Sequence, residues 1–81
     1  MDGLGTRTIV EINQTANTFQ SSVVMKVDNR VIDVKSILGL SLSLLHDSQY
    51  ELEIHGPDEV EAKAVMVELF EKHGLPVTLT R

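Results

Sequence analysis

Between Ser22 and Val34 the sequence holds two β-rich runs, Ser-Val-Val-Met-Lys-Val and Arg-Val-Ile-Asp-Val, separated only by Asp28-Asn29. Both spacer residues tolerate positive φ, and such a pair between β-branched runs specifies a tight hairpin. A hairpin commits the chain to a sheet, one face of which the remaining residues must cover. Tyr50 to His55 (Tyr-Glu-Leu-Glu-Ile-His) alternates strictly, so it reads as a third strand with Tyr50, Leu52 and Ile54 inward and Glu51 and Glu53 toward solvent. Pro76 to Thr80 reads as a short final strand.

Three helices are predicted to cover that sheet. Ile9, Ile12, Ala16 and Phe19 follow the spacing of one helical face, which predicts a helix from Thr6 to Phe19 capped by Thr6 or Thr8. Ser36 opens an apolar run, Ile-Leu-Gly-Leu-Ser-Leu-Ser-Leu-Leu, that reads as a helix with Ser36 as its N-cap; Gly39, at about 1 kcal/mol inside a helix, keeps it short. Gly56-Pro57-Asp58-Glu59 starts a third helix reaching about His73. Ala62, Met66, Leu69, Phe70 and His73 share one stripe of it, and Gly74 supplies a left-handed cap. The order α-β-β-α-β-α-β predicts a single α+β domain over residues 1–81, with helices on one face of one sheet.

Composition narrows the function classes. Twelve acids against seven bases, a net charge of −5, argue against a nucleic-acid footprint, which needs a clustered positive face. The absence of cysteine excludes a disulfide framework, a thiolate metal site and a cysteine nucleophile. No run approaches the roughly 18–20 apolar residues of a membrane span, and Met1-Asp2-Gly3 does not open a leader peptide, so a cytoplasmic domain is expected. His46, His55 and His73 lie 9 and 18 residues apart, which fits no metal motif, and they are read as solvent-exposed side chains. Glu51 and Glu53 are read as a solvated strand face. No catalytic residue, metal or cofactor is expected.

Two places carry more. In Gly3-Leu4-Gly5-Thr6-Arg7, backbone N–H groups and an arginine meet at a helix start, a natural place for an anion. In Lys35-Ser36-Ile37-Leu38-Gly39-Leu40, a capping serine would also accommodate a phosphate, because its charge would sit at the positive end of the helix. The leucines that follow (Leu40, Leu42, Leu44, Leu45) read partly as core and partly as a contact patch.

These pieces resemble one family, HPr, the histidine-containing phosphocarrier of the bacterial sugar phosphotransferase system. HPr proteins carry Gly-Leu-His-(Ala/Thr)-Arg-Pro followed by a helix ending near Ala-x-x-Phe. This chain has Gly3-Leu4-Gly5-Thr6-Arg7-Thr8 and then Ala16-Asn17-Thr18-Phe19 in register. Val34-Lys35-Ser36-Ile37-Leu38-Gly39-Leu40 resembles the family's regulatory-serine segment, and Gly56-Pro57-Asp58-Glu59 its Gly-x-Asp-Glu helix opening. The resemblance implies an open-faced α/β sandwich with a mostly antiparallel sheet. It departs at the phosphorylated histidine, replaced by Gly5, and at the proline after Arg7, replaced by Thr8. In this it is similar to the Crh type of the family, which also lacks the histidine and keeps the serine.

Carried over position by position, Ser36 is the acceptor for an HPr kinase/phosphorylase and Arg7 a contact for the phosphate. Thr6, Val10, Ile37, Leu38 and Ser41 form the partner surface, although close relatives often have a larger apolar residue at the place of Ser41. The expected activity is that of a non-enzymatic regulator or adaptor. Its expected partners are proteins: the kinase, a transcriptional regulator, phosphotransferase-system components or a second copy in a homodimer, and neither nucleic acid nor membrane; the alternative is a purely structural protein-interaction domain with no phosphorylation. Family members also carry an edge strand before Gly-Leu, where this chain has Met1-Asp2. Val77 to Thr80 is expected to fill that edge, within one chain or by exchange between two, running parallel to the Tyr50 strand after a crossover through the last helix.

Overall fold

A computed structural model describes residues 5–27, 29–43 and 49–80. The elements follow the expected order: α1 (Thr6–Ala16), β1 (Ser22–Val27), β2 (Arg30–Asp33), α2 (Ile37–Ser43), β3 (Tyr50–His55), α3 (Glu59–Lys72) and β4 (Val77–Leu79). The strands form one sheet in the order β2-β1-β3-β4, antiparallel except for the parallel β3–β4 pair.

The hairpin forms where the spacer predicted it, with Val27 opposite Arg30 and Asn29 at φ 69°. Asp28 lies outside the described residues. Strand alternation then sorts the side chains: Val23, Met25 and Val27 of β1 and Tyr50, Leu52 and Ile54 of β3 turn inward and are buried. Ile9, Ile12 and Ala16 of α1, Leu40 of α2, and Ala62, Met66, Leu69 and Phe70 of α3 close over them. The Phe70 ring lies 6.3 Å from that of Tyr50, tilted by 60°. Phe19 packs against this core only partly, because α1 stops at Ala16 and the chain turns before reaching it.

The end of α3 determines where the last strand goes. Gly74, at φ 74°, donates its N–H to Glu71, and Leu75 donates back to Phe70 (2.9 Å), the paired bonds of a Schellman cap. The cap buries Leu75 and turns the chain back along the sheet. Tyr50 of β3 then donates to Pro76, and Thr80 to Leu52, so β4 occupies the β3 edge within the same chain.

The start of α3 departs from a simple cap. Asp58 stands in the N-cap position but makes no capping bond with its side chain. Its carboxylate instead accepts hydrogen bonds from the backbone N–H groups of Gln20 and Ser21 (2.9 Å each) and from the Ser21 hydroxyl, which in turn accepts the Asp58 N–H at 3.2 Å. The Glu59 carboxylate accepts the Gly56 N–H at 3.0 Å. Gly56 is required at this junction twice over: its φ is 151°, and a Cβ there would stand 2.5 Å from the Ser21 Cα. The Ser21 hydroxyl, more than any other group, holds the Asp58 carboxyl below its ordinary value, and the Gly56 N–H does the same for Glu59.

Candidate functional site

The residues singled out for binding lie on α1 and α2, which pack against each other. Gly5 is the α1 N-cap, with extended backbone (φ −71°, ψ 169°), and its carbonyl accepts the N–H groups of Thr8 and Ile9. No side chain caps this end, so the expectation that Thr6 or Thr8 does so is corrected. Thr6 is exposed; Thr8 is buried, its hydroxyl 3.4 Å from the Nδ1 of His73. A Cβ at Gly5 would meet nothing within 4 Å, so its missing side chain is not dictated by crowding. Arg7 is exposed and has no partner among the described residues, and Val10 is half-buried. Gly3 and Leu4 of the expected anion site lie outside the described residues.

Ser36 is exposed at the start of α2, where its Oγ accepts the Gly39 N–H at 3.3 Å. The N-cap role predicted for it is present. Gly39 brings the helix close to β2: a Cβ there would approach the Ile32 Cγ2 to 3.3 Å. Ile37 and Leu38 project outward, 45% and 69% exposed, while Leu40 is fully buried. Ser41 is half-buried and donates its hydroxyl to the Ile37 carbonyl at 2.7 Å. The expected contact patch at Leu44 and Leu45 and the connection through Ser48 fall outside the described residues.

The lead-in to Ser36 is held by side chains that sequence reasoning missed. Asn13 donates to the Val34 carbonyl (3.2 Å), and Asn17, one turn on, donates to the Lys35 carbonyl (3.3 Å). Lys35 reaches back to the Phe19 carbonyl at 2.8 Å, and Asp33 accepts the Lys35 N–H at 3.0 Å. Two asparagines at i and i+4 on one helix face were the available signal, since short amides satisfy loop carbonyls at that spacing.

The histidines require a correction. His73 is not a free surface side chain: its ring is 19% exposed, with Thr8 on one nitrogen and a Glu11 carboxylate oxygen 3.0 Å from the other. Lys72 approaches the other oxygen of Glu11 at 3.5 Å. The hydrogen bond from His73 is the main cause of a Glu11 carboxyl held below its ordinary value. His55 is exposed and pairs with Glu53, and His46 lies outside the described residues. Glu51 and Glu53, expected in solvent, are half-buried and separately engaged. Glu53 sits between Lys26 and His55 (3.1 Å each), and Glu51 accepts the Thr80 hydroxyl. Among the described residues no group of three His, Asp or Glu side chains is placed to hold a metal ion.

An open-faced sandwich of three helices on a four-stranded sheet, with a bare helix start on α1 and an exposed serine opening α2, is the architecture of a small phosphocarrier-type protein. The chain belongs to the HPr family of the phosphotransferase system: the family model described as the PTS HPr component phosphorylation site matches residues 1–72. The phosphocarrier protein HPr of Cupriavidus necator is 38% identical over 68 residues, spanning 83% of this chain and 76% of its own length. The crystal structure of an HPr dimer from Thermoanaerobacter tengcongensis superposes with a TM-score of 0.75 at 34% identity, over 85% of this chain and 80% of that one. Crh of Bacillus subtilis, solved as a dimer with a swapped domain, gives 0.75 at 32% identity, over 88% and 83%.

Proposed function

We propose that this chain is a non-catalytic regulatory or adaptor member of the HPr family, switched by phosphorylation of Ser36 and unable to carry phosphate at the start of α1. The observation that carries the reading is the Ser36 hydroxyl, exposed and held by a single 3.3 Å hydrogen bond between a rigid lead-in and the outward-facing Ile37 and Leu38. A phosphate there would add charge beside an apolar patch and create acceptors for a partner's arginine or lysine. Arg7, exposed and without a partner among the described residues, is the cation of this chain assigned to that phosphate. Thr6, Val10 and Ser41 complete the partner surface on α1 and α2. Gly5 offers no side-chain nucleophile, and His73 has both ring nitrogens occupied, so neither replaces a phosphocarrier histidine.

Incubation with HPr kinase/phosphorylase and ATP tests the switch. The expected result is a mass gain of one phosphate in the wild type and none in Ser36→Ala; a wild type that gains nothing overturns it. A second reading, self-association as the main role, is favoured by the dimers of the T. tengcongensis and B. subtilis relatives. Sedimentation of the unphosphorylated protein separates the two, because a constitutive dimer would need no kinase.

A further inference from the structure

We propose that the cleft between α1 and α3 docks a basic amphipathic segment of a partner protein, independently of the Ser36 face. The two seams of the helical layer differ. On the α2 side, Asn13 and Asn17 tie α1 to the Val34 and Lys35 carbonyls that lead into α2. The α1–α3 seam is clasped at one end, where Thr8 and Glu11 meet His73 and Lys72. Beyond that clasp it opens into a cleft of about 410 Å³ lined by Glu11, Thr15, Val65, Glu68, Leu69 and Lys72. Clefts that recognise ligands typically span roughly 300–1,000 Å³.

The lining specifies the occupant. Val65 and Leu69 make an apolar floor suited to aliphatic side chains, with Thr15 beside them. Glu68 stands on the rim, exposed and without a partner among the described residues, and Glu61, two turns earlier on α3, is in the same state. The one rim cation, Lys72, is already paired with Glu11. An apolar floor under unpaired carboxylates complements a segment that carries lysine or arginine beside leucine or isoleucine. A second copy of this chain does not supply one: its Lys35, beside the exposed Ile37 and Leu38, is bound to the Phe19 carbonyl, and each copy carries a net charge of −5. The occupant is therefore another protein, and steering by opposite charge makes its binding salt-sensitive.

The test uses a short labelled amphipathic helix of leucine and lysine, with a scrambled peptide of identical composition as the charge control. The amphipathic peptide is expected to bind, to shift the amide resonances of Thr15, Val65, Glu68 and Leu69, and to outbind the scrambled one by about ten-fold or more. Val65→Asp is the decisive variant, because it adds negative charge while spoiling the floor. Docking predicts about ten-fold weaker binding to it, whereas simple attraction of a cationic peptide predicts equal or tighter binding. Glu68→Lys should weaken binding as well, and Glu53→Gln, on the uncovered face of the sheet, should not. Equal binding of the scrambled peptide, unimpaired binding to Val65→Asp, shifts confined to Ile37 and Leu38, or no binding at all would each overturn the proposal. Unchanged circular dichroism of the variants separates lost docking from lost fold.

Discussion

Ser21 and Ser36 each accept a backbone N–H at a helix start, Ser21 reaching from the α1–β1 turn to the start of α3 and Ser36 opening α2, yet the structure uses them oppositely. Ser21 is fully buried; its hydroxyl donates to the Asp58 carboxylate and accepts the Asp58 N–H, and its own N–H is also bound by that carboxylate. Ser36 is exposed and accepts one long hydrogen bond from Gly39. The first hydroxyl is consumed by the fold, joining the α1–β1 turn to α3 across 37 residues of sequence. The second is held in position and left reachable. Burial and the number of partners, more than position at a helix start, separate a hydroxyl spent on the fold from one left open to solvent.

The strongest way to break this comparison is at the Ser21 junction. Gly56→Ala places a Cβ against the Ser21 backbone and forces a residue with a side chain into φ 151°. It should cost about 2–4 kcal/mol in urea denaturation. That is a large part of the roughly 4–12 kcal/mol expected of a chain this size. Ser21→Ala should cost about 1–3 kcal/mol, since it removes one donor from Asp58 and leaves the Asp58 N–H unpaired. A Gly56→Ala protein as stable as the wild type would show that the junction does not bear the load assigned to it.

Acid sharpens the contrast. The carboxyls of Asp58 and Glu59 are held below their ordinary values of 3.8 and 4.5. A carboxyl lowered by folding contributes stability that is fully present above its unfolded value and lost as pH falls through the lowered, folded one. Melting temperature should therefore be flat near neutrality and fall below about pH 4.5, with Glu11 and Glu53 contributing to the same limb. In Ser21→Ala the acid-induced drop should be smaller, because the main cause of the Asp58 shift is gone; an unchanged pH profile would contradict that assignment. The smallest effect belongs to Ser36→Ala, about 0.5–1 kcal/mol at most and without change in the acid limb, as expected for an exposed cap with one long bond.

Local pattern made much of the fold legible before any coordinates. The hairpin about Asp28-Asn29, the alternation of Tyr50 to His55 and the capped end of α3 each arise from residues within a few positions of one another, where propensity and periodicity act. Even the parallel placement of β4 followed, since a strand reached through a helix has few ways back to the sheet. Apart from the end of α1, which stops at Ala16 and not at Phe19, the departures are long-range. Thr8, one of the two threonines expected to cap α1, and His73, expected at the surface, meet across 65 residues of sequence. Asp58 stands at the start of α3 as expected, but its carboxylate holds another loop.

The candidate site divides the same way. Ser36 as an N-cap, with Ile37 and Leu38 beside it, was readable because a cap and its helix are neighbours in the chain. That Asn13, Asn17 and Lys35 lock the approach to it was not, because an amide or ammonium donor can satisfy any carbonyl within reach, and sequence does not say which is near. By itself the amino-acid order determined where strands, turns and helices begin, which faces are apolar, and that position 5 carries no nucleophile. Only the packed molecule decided which polar groups meet, which of two similar hydroxyls is spent on the fold, and that α1 and α3 part to leave an acid-rimmed cleft. Those outcomes depend on distances between segments far apart in the chain, and such distances exist only after the core has closed.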